Sequence, residues 1–272
     1  MTSKHLELFK KIGSELKKEF PDIYVSEEKD KIVGIGKGGD KTTLIDRFSE
    51  DSIIKKLEEF HKEGNNFTLI SEEVGTKKFG DSKNINTRSN IILVDPLDGS
   101  VNAKRGLPFF SVSIALIEGS KLAGISTGYV LNLMNGDEFC AVKGAGAFLN
   151  NRKIKSSKNS ELKLVGIEAP LEASIPYISR IGKFSERIRV MGSLALDVCY
   201  TASGAFDACV FPFKSRSFDF AAGKLILEES GGIITDFSGK PLDNISPGVE
   251  KTTEIICAGN KELHKKIIEI LK

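Results

Sequence analysis

The chain has 272 residues, 40% hydrophobic and 28% charged, enough for a substantial core and too apolar for disorder to be its main state. Lysine and arginine number 39 against 37 aspartate and glutamate, so bulk charge marks neither a nucleic-acid nor an anionic-membrane partner. The sequence shows no signal-peptide h-region and no membrane-length apolar run, and its four scattered cysteines (Cys140, Cys199, Cys209, Cys257) read as buried thiols in a reducing cytoplasm.

Leu8, Ile12, Leu16 and Phe20 form a stripe that predicts a helix over 4–20. A Gly-rich stretch follows at 33–40. A second helix starts near 43, with Leu44, Phe48, Ile54, Leu57 and Phe60 on one face, and ends at Gly64. The period then changes. Residues 67–71 read as a strand running into Glu72-Glu73, and 90–94 as a buried strand that stops at Asp95-Pro96. Further strands are expected at 109–117, 121–130 and 138–142. From about residue 162, strands (165–167, 208–211, 255–258) alternate with helices (174–187, 193–202, 218–230, 261–271). The expectation is an α+β half over 1–150 carrying most of the acidic clusters, and an α/β half over 151–272.

Three acidic clusters stand at element ends, where backbone geometry can aim side chains at a common point. Glu72-Glu73 closes one strand. Asp95-Pro96-Leu97-Asp98-Gly99-Ser100 closes another. Asp219 opens a helix in Phe218-Asp219-Phe220-Ala221-Ala222-Gly223. Taken singly, each has an ordinary reading: surface charge, a turn, a helix cap. Asp95, however, ends a buried strand, where an unpaired carboxylate is costly. Asp98 lies three residues on, and the bend leaves the Leu97 carbonyl free. Carboxylates and a carbonyl are hard ligands that suit Mg²⁺ or Mn²⁺, and the three histidines are too far apart for a nitrogen-rich site. The N–H groups of Gly99 and Ser100 open a turn or helix fit to cradle a phosphate.

Taken together, Ile70-Ser71-Glu72-Glu73, Asp95 to Ser100 and Phe218 to Gly223 resemble the three signatures of the inositol monophosphatase superfamily. Within it, the chain resembles the archaeal dual inositol-1-monophosphatase/fructose-1,6-bisphosphatase group. One departure stands out: Phe218 occupies the place where these proteins usually carry tryptophan. The resemblance implies a layered αβαβα sugar-phosphatase fold, a homodimer and two or three Mg²⁺ ions. It implies that Glu72, Asp95 and the Leu97 carbonyl hold one ion, that Asp95, Asp98 and Asp219 hold a second, and that Asp40 contributes to a third. Activation of a metal-bound water is expected, with Ser100 hydrogen-bonded to Asp46 to orient and deprotonate it, and Glu73 as a supporting acid. On the substrate side the resemblance points to Asp98, Gly99, Ser100 and the Arg189–Leu194 stretch with Gly192 and Ser193. Lys214 and Arg216 are candidates to contact a second phosphate or a hydroxyl.

The expected reaction is Mg²⁺-dependent hydrolysis of inositol 1-phosphate, of the 1-phosphate of fructose 1,6-bisphosphate, or of both. The alternatives are a nucleotide phosphatase acting on 3′-phosphoadenosine 5′-phosphate or NADP, and a non-catalytic phosphate sensor. Gly34 to Gly39 matches G-x-G-x-x-G, but the charged residues before it make a poor buried strand for a dinucleotide cradle.

Overall fold

The structure, a computed structural model, describes residues 3–80, 90–168 and 171–272. Ser3 accepts the Leu6 N–H and starts α1 (Lys4–Tyr24), which buries Leu6, Phe9, Ile12, Leu16 and Phe20 and continues through Pro21. The Gly-rich stretch is the turn of an antiparallel hairpin, β1 (Ile32–Ile35) with β2 (Lys41–Thr43). Because β2 pairs antiparallel with β1 before α2 (Leu44–Lys62) begins, the strand–loop–helix unit of a dinucleotide site is not formed here.

The larger sheet is built from β3 (Phe67–Ser71), β4 (Gly75–Phe79), β5 (Asn90–Asp98), β6 (Ser111–Glu118), β7 (Ile125–Asn132), β8 (Glu138–Val142), β9 (Gly146–Leu149) and β10 (Arg152–Lys153). Its order is β10-β9-β8-β7-β6-β5-β3-β4, and within it β3 and β5 pair in parallel. A short helix, α3 (Ser100–Arg105), sits between β5 and β6. The smaller sheet contains β11 (Leu162–Ile167), β12 (Ser185–Arg189), β13 (Ala208–Arg216), β14 (Ile233–Thr235) and β15 (Lys251–Ala258), in the order β12-β11-β13-β15-β14. The remaining helices are α4 (Leu171–Ile181), α5 (Leu194–Ala202), α6 (Ser217–Ser230) and α7 (Lys261–Leu271).

Strand alternation assigns each sheet face to a core. Ile92, Val94, Val112 and Ile114 pack against α1 and α2, whereas Leu93, Ala115 and Ile117 face α5 and α6. Cys209, Phe211, Ile255 and Cys257 close the middle core from the smaller sheet, and Val210 and Ile256 point the other way to α4 and α7. The result is five layers, αβαβα. Helices α5 and α6 are covered on both sides, which explains why their sequences are apolar nearly all round. Among the described residues no helix is long and apolar enough to cross a membrane, and all four cysteines are buried and unpaired.

Two expectations need correction. The helix expected over 174–187 ends at Ile181, and Ser185–Arg189 forms an edge strand beside β11. With one bonded neighbour and three exposed positions, that strand carries no clean alternation. The strand expected to stop at Asp95 runs on to Asp98 through a register shift.

Candidate active site

Because β3 and β5 are parallel, with Ser71 opposite Val94, their C-terminal ends open side by side and bring Glu72 beside Asp95. In β5, Asp95 pairs with Ser113 and Asp98 with Ser111. Three steps along β5 thus match two along β6. An unbroken strand sends residues three apart to opposite faces; the extra residue turns Asp98 to the side of Asp95. Pro96, which has no N–H to give to a ladder, is tolerated inside this bulge. Gly99 then turns the chain into α3 with φ +86°, and a Cβ there would lie 2.8 Å from the Gly192 carbonyl oxygen. Asp219 comes from the first turn of α6, where it accepts the Arg216 N–H at 2.7 Å. Phe218 is fully buried beside it, and its carbonyl accepts the Ser113 hydroxyl at 3.4 Å, which fixes the start of α6 against β6.

These segments meet. Glu72, Asp95, Leu97, Asp98, Gly99, Ser100 and Asp219 line one cleft of about 220 Å³. Burial and mutual repulsion lift the acids' pKa values. Glu72 is pushed up to about 8, by burial first and then by the Asp219 charge. Asp219 rises to about 7, mainly through burial. Burial also takes Asp98 to about 6, against the stabilising Ser193 hydroxyl and the Ala195 and Leu194 N–H groups. Asp95 is raised well above the carboxylate range, by burial and then by Glu72 and Asp98.

Among the described residues, no three acids, histidines or cysteines stand close enough to enclose an ion as they are. Each acid is drawn aside by a local partner. Glu72 pairs with Arg216 at 3.1 Å, Asp95 accepts the Leu97 N–H at 3.0 Å, and both Asp98 oxygens accept from the start of α5. The donor chemistry nevertheless fits a hard divalent cation. Among the described residues, Glu72, Asp95 and Asp219 each use one oxygen in these bonds and keep the other open, and no histidine lines the cleft; a cation relieves the repulsion that raises the acids.

Other residues singled out from the sequence are arranged differently. Asp46 is buried in the first turn of α2, where it accepts the Thr43 N–H at 2.9 Å and hydroxyl at 2.5 Å and pairs with Lys104 at 3.2 Å. Those donors take the place of the expected Ser100 bond. The Ser100 hydroxyl has no hydrogen-bond partner among the described residues, and it faces the cleft lining. Glu73 accepts the Thr42 hydroxyl, behind the lining. Asp40 is well exposed and pairs with Arg216 at 2.6 Å. Arg216 spans Glu72, Asp40 and the Gly38 carbonyl, so its guanidinium is already committed and is not a free contact for a second phosphate. Lys214 and Arg189 are exposed and lie outside the cleft lining; the Arg189 guanidinium folds back on the Ile188 carbonyl. Gly192 and Leu194 do line the cleft, and Ser193 caps α5 while donating its hydroxyl to Asp98.

Glu168, just beyond β11, lines the same cleft and is absent from the residues that the sequence singles out. A single acid after a short strand gives no periodic or clustered signal.

The sequence profile of the inositol monophosphatase family matches residues 1–272. This chain belongs to the inositol monophosphatase family. It is a phosphoric monoester hydrolase of that family. It is 35% identical to the fructose-1,6-bisphosphatase/inositol-1-monophosphatase of Methanothermobacter thermautotrophicus, over 96% of this chain and 94% of that one. It is 34% identical to the bifunctional NADP phosphatase/NAD kinase of Methanococcus maripaludis, over 97% of this chain and 49% of that larger protein. The solved IMPase of Thermotoga maritima shares its fold with a TM-score of 0.80 at 26% identity, covering 99% of this chain and 97% of the other. Within the inositol monophosphatase family fold, the departure at Phe218 leaves a buried aromatic beside Asp219, with the Arg216 guanidinium 5.9 Å from its ring centre.

Proposed function

We propose that this phosphatase hydrolyses the monoester of a small polyol, inositol 1-phosphate or the 1-phosphate of fructose 1,6-bisphosphate, with Mg²⁺ as cofactor. The observation that carries the reading is the meeting of Glu72, Asp95, Asp98 and Asp219, from three distant segments, in one cleft beside the first turn of α3. Glu72, Asp95, the Leu97 carbonyl, Asp98 and Asp219 would hold the ions, and Asp40 would join them after release from Arg216. When bound, the ions supply Lewis-acid charge for the attacking water and for the departing oxygen.

The protein's own groups do the rest. The N–H groups of Gly99 and Ser100 begin α3 without intrahelical partners and hold phosphoryl oxygens. Ser100, with its hydroxyl free, orients the attacking water. Asp46 takes the proton through Ser100 after exchanging its Thr43 or Lys104 bond, and Glu73 steadies Thr42 at the base of α2. The small cleft favours a compact polyol phosphate. The same reading carries a homodimer and a cytoplasmic location, the latter supported by four unpaired cysteines. A second reading, NADP as substrate, is favoured by the similarity to the bifunctional NADP phosphatase/NAD kinase of Methanococcus maripaludis.

Phosphate release from inositol 1-phosphate, fructose 1,6-bisphosphate, NADP and 3′-phosphoadenosine 5′-phosphate, with Mg²⁺ and with chelator, tests both. Turnover of a polyol phosphate that chelator abolishes is the expected result, and preference for NADP selects the second reading. Asp98→Asn is expected to lower kcat/KM at least about 100-fold. Near-normal turnover in that variant contradicts the site.

A further inference from the structure

Beside the metal-type acids, the same cleft is lined by Glu168, Gly192, Leu194 and Phe213, with Gly192 against Gly99 and Leu194 donating its N–H to Asp98. Of these four, Glu168 alone brings a polar side chain. It is held from both ends. Its own N–H donates to the Val210 carbonyl at 3.1 Å, and its Oε1 accepts the Met191 N–H and, at 2.6 Å, the Gly192 N–H. The Glu168 carboxyl also lies within hydrogen-bond reach of the Asp197 carboxyl. Behind it on α5 lies Asp197, fully buried, whose carboxyl has no donor among the described residues and meets the Glu168 carboxyl. Burial pushes the Asp197 pKa well above the carboxylate range, and the Glu168 charge and the hydrogen bond between the two acids push it further, while Glu168, itself raised by burial, lines the cleft. This arrangement is costly for a wall that only encloses space, since a half-buried acid and a buried one are set back to back.

A carboxylate is an acceptor without a donor. In the cleft that holds the phosphate cradle it attracts a hydroxyl and repels a second phosphate. Leu194 and Phe213 beside it offer apolar surface to the C–H face of a ring. We propose that Glu168 is the residue by which this phosphatase recognises the organic part of its substrate: its carboxylate, pinned by two backbone N–H groups, accepts a hydrogen bond from a ring hydroxyl of a polyol monophosphate. The proposal rests on the phosphatase reading above and adds the substrate feature that is read. An ester without that hydroxyl leaves the carboxylate unpaired, the kind of mismatch that discriminates strongly between substrates.

The test compares Glu168→Gln with the unaltered protein on inositol 1-phosphate and on p-nitrophenyl phosphate, which carries no hydroxyl, in Mg²⁺. Glutamine keeps an oxygen for the Met191 and Gly192 N–H groups and removes the charge. The expected result is a kcat/KM loss of about 10- to 100-fold on inositol 1-phosphate, with p-nitrophenyl phosphate changed less than about threefold. Glu168→Asp, which keeps the charge but withdraws it by one methylene, is expected to show the same split and stands in if the glutamine variant folds poorly. Equal loss on the two esters makes Glu168 a structural prop and overturns the proposal, as does no loss on either. Unaltered protein that is inert toward both esters overturns the phosphatase reading itself, a result distinct from either.

Discussion

Gly99 carries two constraints at once. Its φ of +86° lies in the left-handed region, and the space where a side chain would begin is taken by the carbonyl oxygens of Gly192 and Phe109, at 2.8 and 3.0 Å. Both belong to segments that line or flank the cleft, so a side chain would wedge α3 away from the turn before α5. Gly99→Ala is expected to cost about 1–3 kcal/mol in denaturant unfolding, and phosphate release should fall more steeply than stability does. A variant with ordinary turnover would mean that the turn tolerates displacement. The residues of this site differed in how visible they were in sequence. Asp95, Asp98 and Asp219 stood out because carboxylates at the ends of apolar segments are expensive and therefore informative. Asp46 and Ser100 could be named, but the loss of their expected mutual bond could not be foreseen, because Thr43 and Lys104 compete for the same carboxylate. Glu168 was invisible, since its meaning depends on a partner wall supplied by Gly192 and Leu194.

Elements set which of these side chains meet. Helix α5 contributes no acid to the proposed ligand set, yet its N-terminus holds Asp98 through the Ser193 hydroxyl and the Leu194 and Ala195 N–H groups, at 3.3 and 2.8 Å for the latter two. Ser193 also caps α5 by accepting from Leu196. Ser193→Ala therefore removes a cap and loosens Asp98 together. The expected outcome is a stability loss of about 0.5–2 kcal/mol in urea unfolding and a weaker Mg²⁺ activation curve. An unchanged activation curve would show that the backbone N–H groups suffice to hold Asp98. Long helices with clear stripes were legible in sequence; α7 (Lys261–Leu271) was placed to the residue. The β5 bulge was not, because a register shift is decided by the neighbouring strand. The β12 edge strand was also missed, because exposed charged residues mask strand periodicity.

At the scale of the whole molecule, the cleft accumulates like charge that the fold itself does not neutralise. Glu72, Asp95, Asp98 and Asp219 all have raised pKa values, so between about pH 4 and 8 the folded, cation-free protein binds more protons at these positions than the unfolded chain does. The sign follows: their contribution to stability is fully present below the ordinary carboxylate range and is lost as pH rises through the folded values, up to about 8 for Glu72. A divalent cation substitutes for those protons. Its stabilising effect should therefore grow with pH across the same window. The check is the rise in Tm on adding Mg²⁺ to chelator-treated protein, which should be larger at pH 8 than at pH 5; an equal rise at both would separate the acids from cation binding. The five layers were legible in outline from the helix–strand rhythm. The strand order was not, since β5 pairs in parallel with β3 on the side away from the β3–β4 hairpin, a placement that no local pattern encodes.

The separation of the acids along the chain has a kinetic corollary. Glu72, Asp95 and Asp98 belong to the larger sheet, but Asp219 arrives only when α6 has seated between the two sheets. An early species with the first sheet alone has an incomplete ligand set, and ion uptake reports the last docking event as a clock would. In refolding from urea, terbium luminescence, the lanthanide standing in for the natural ion, should lag behind the recovery of far-ultraviolet circular dichroism. Simultaneous recovery would mean that both sheets close in one step.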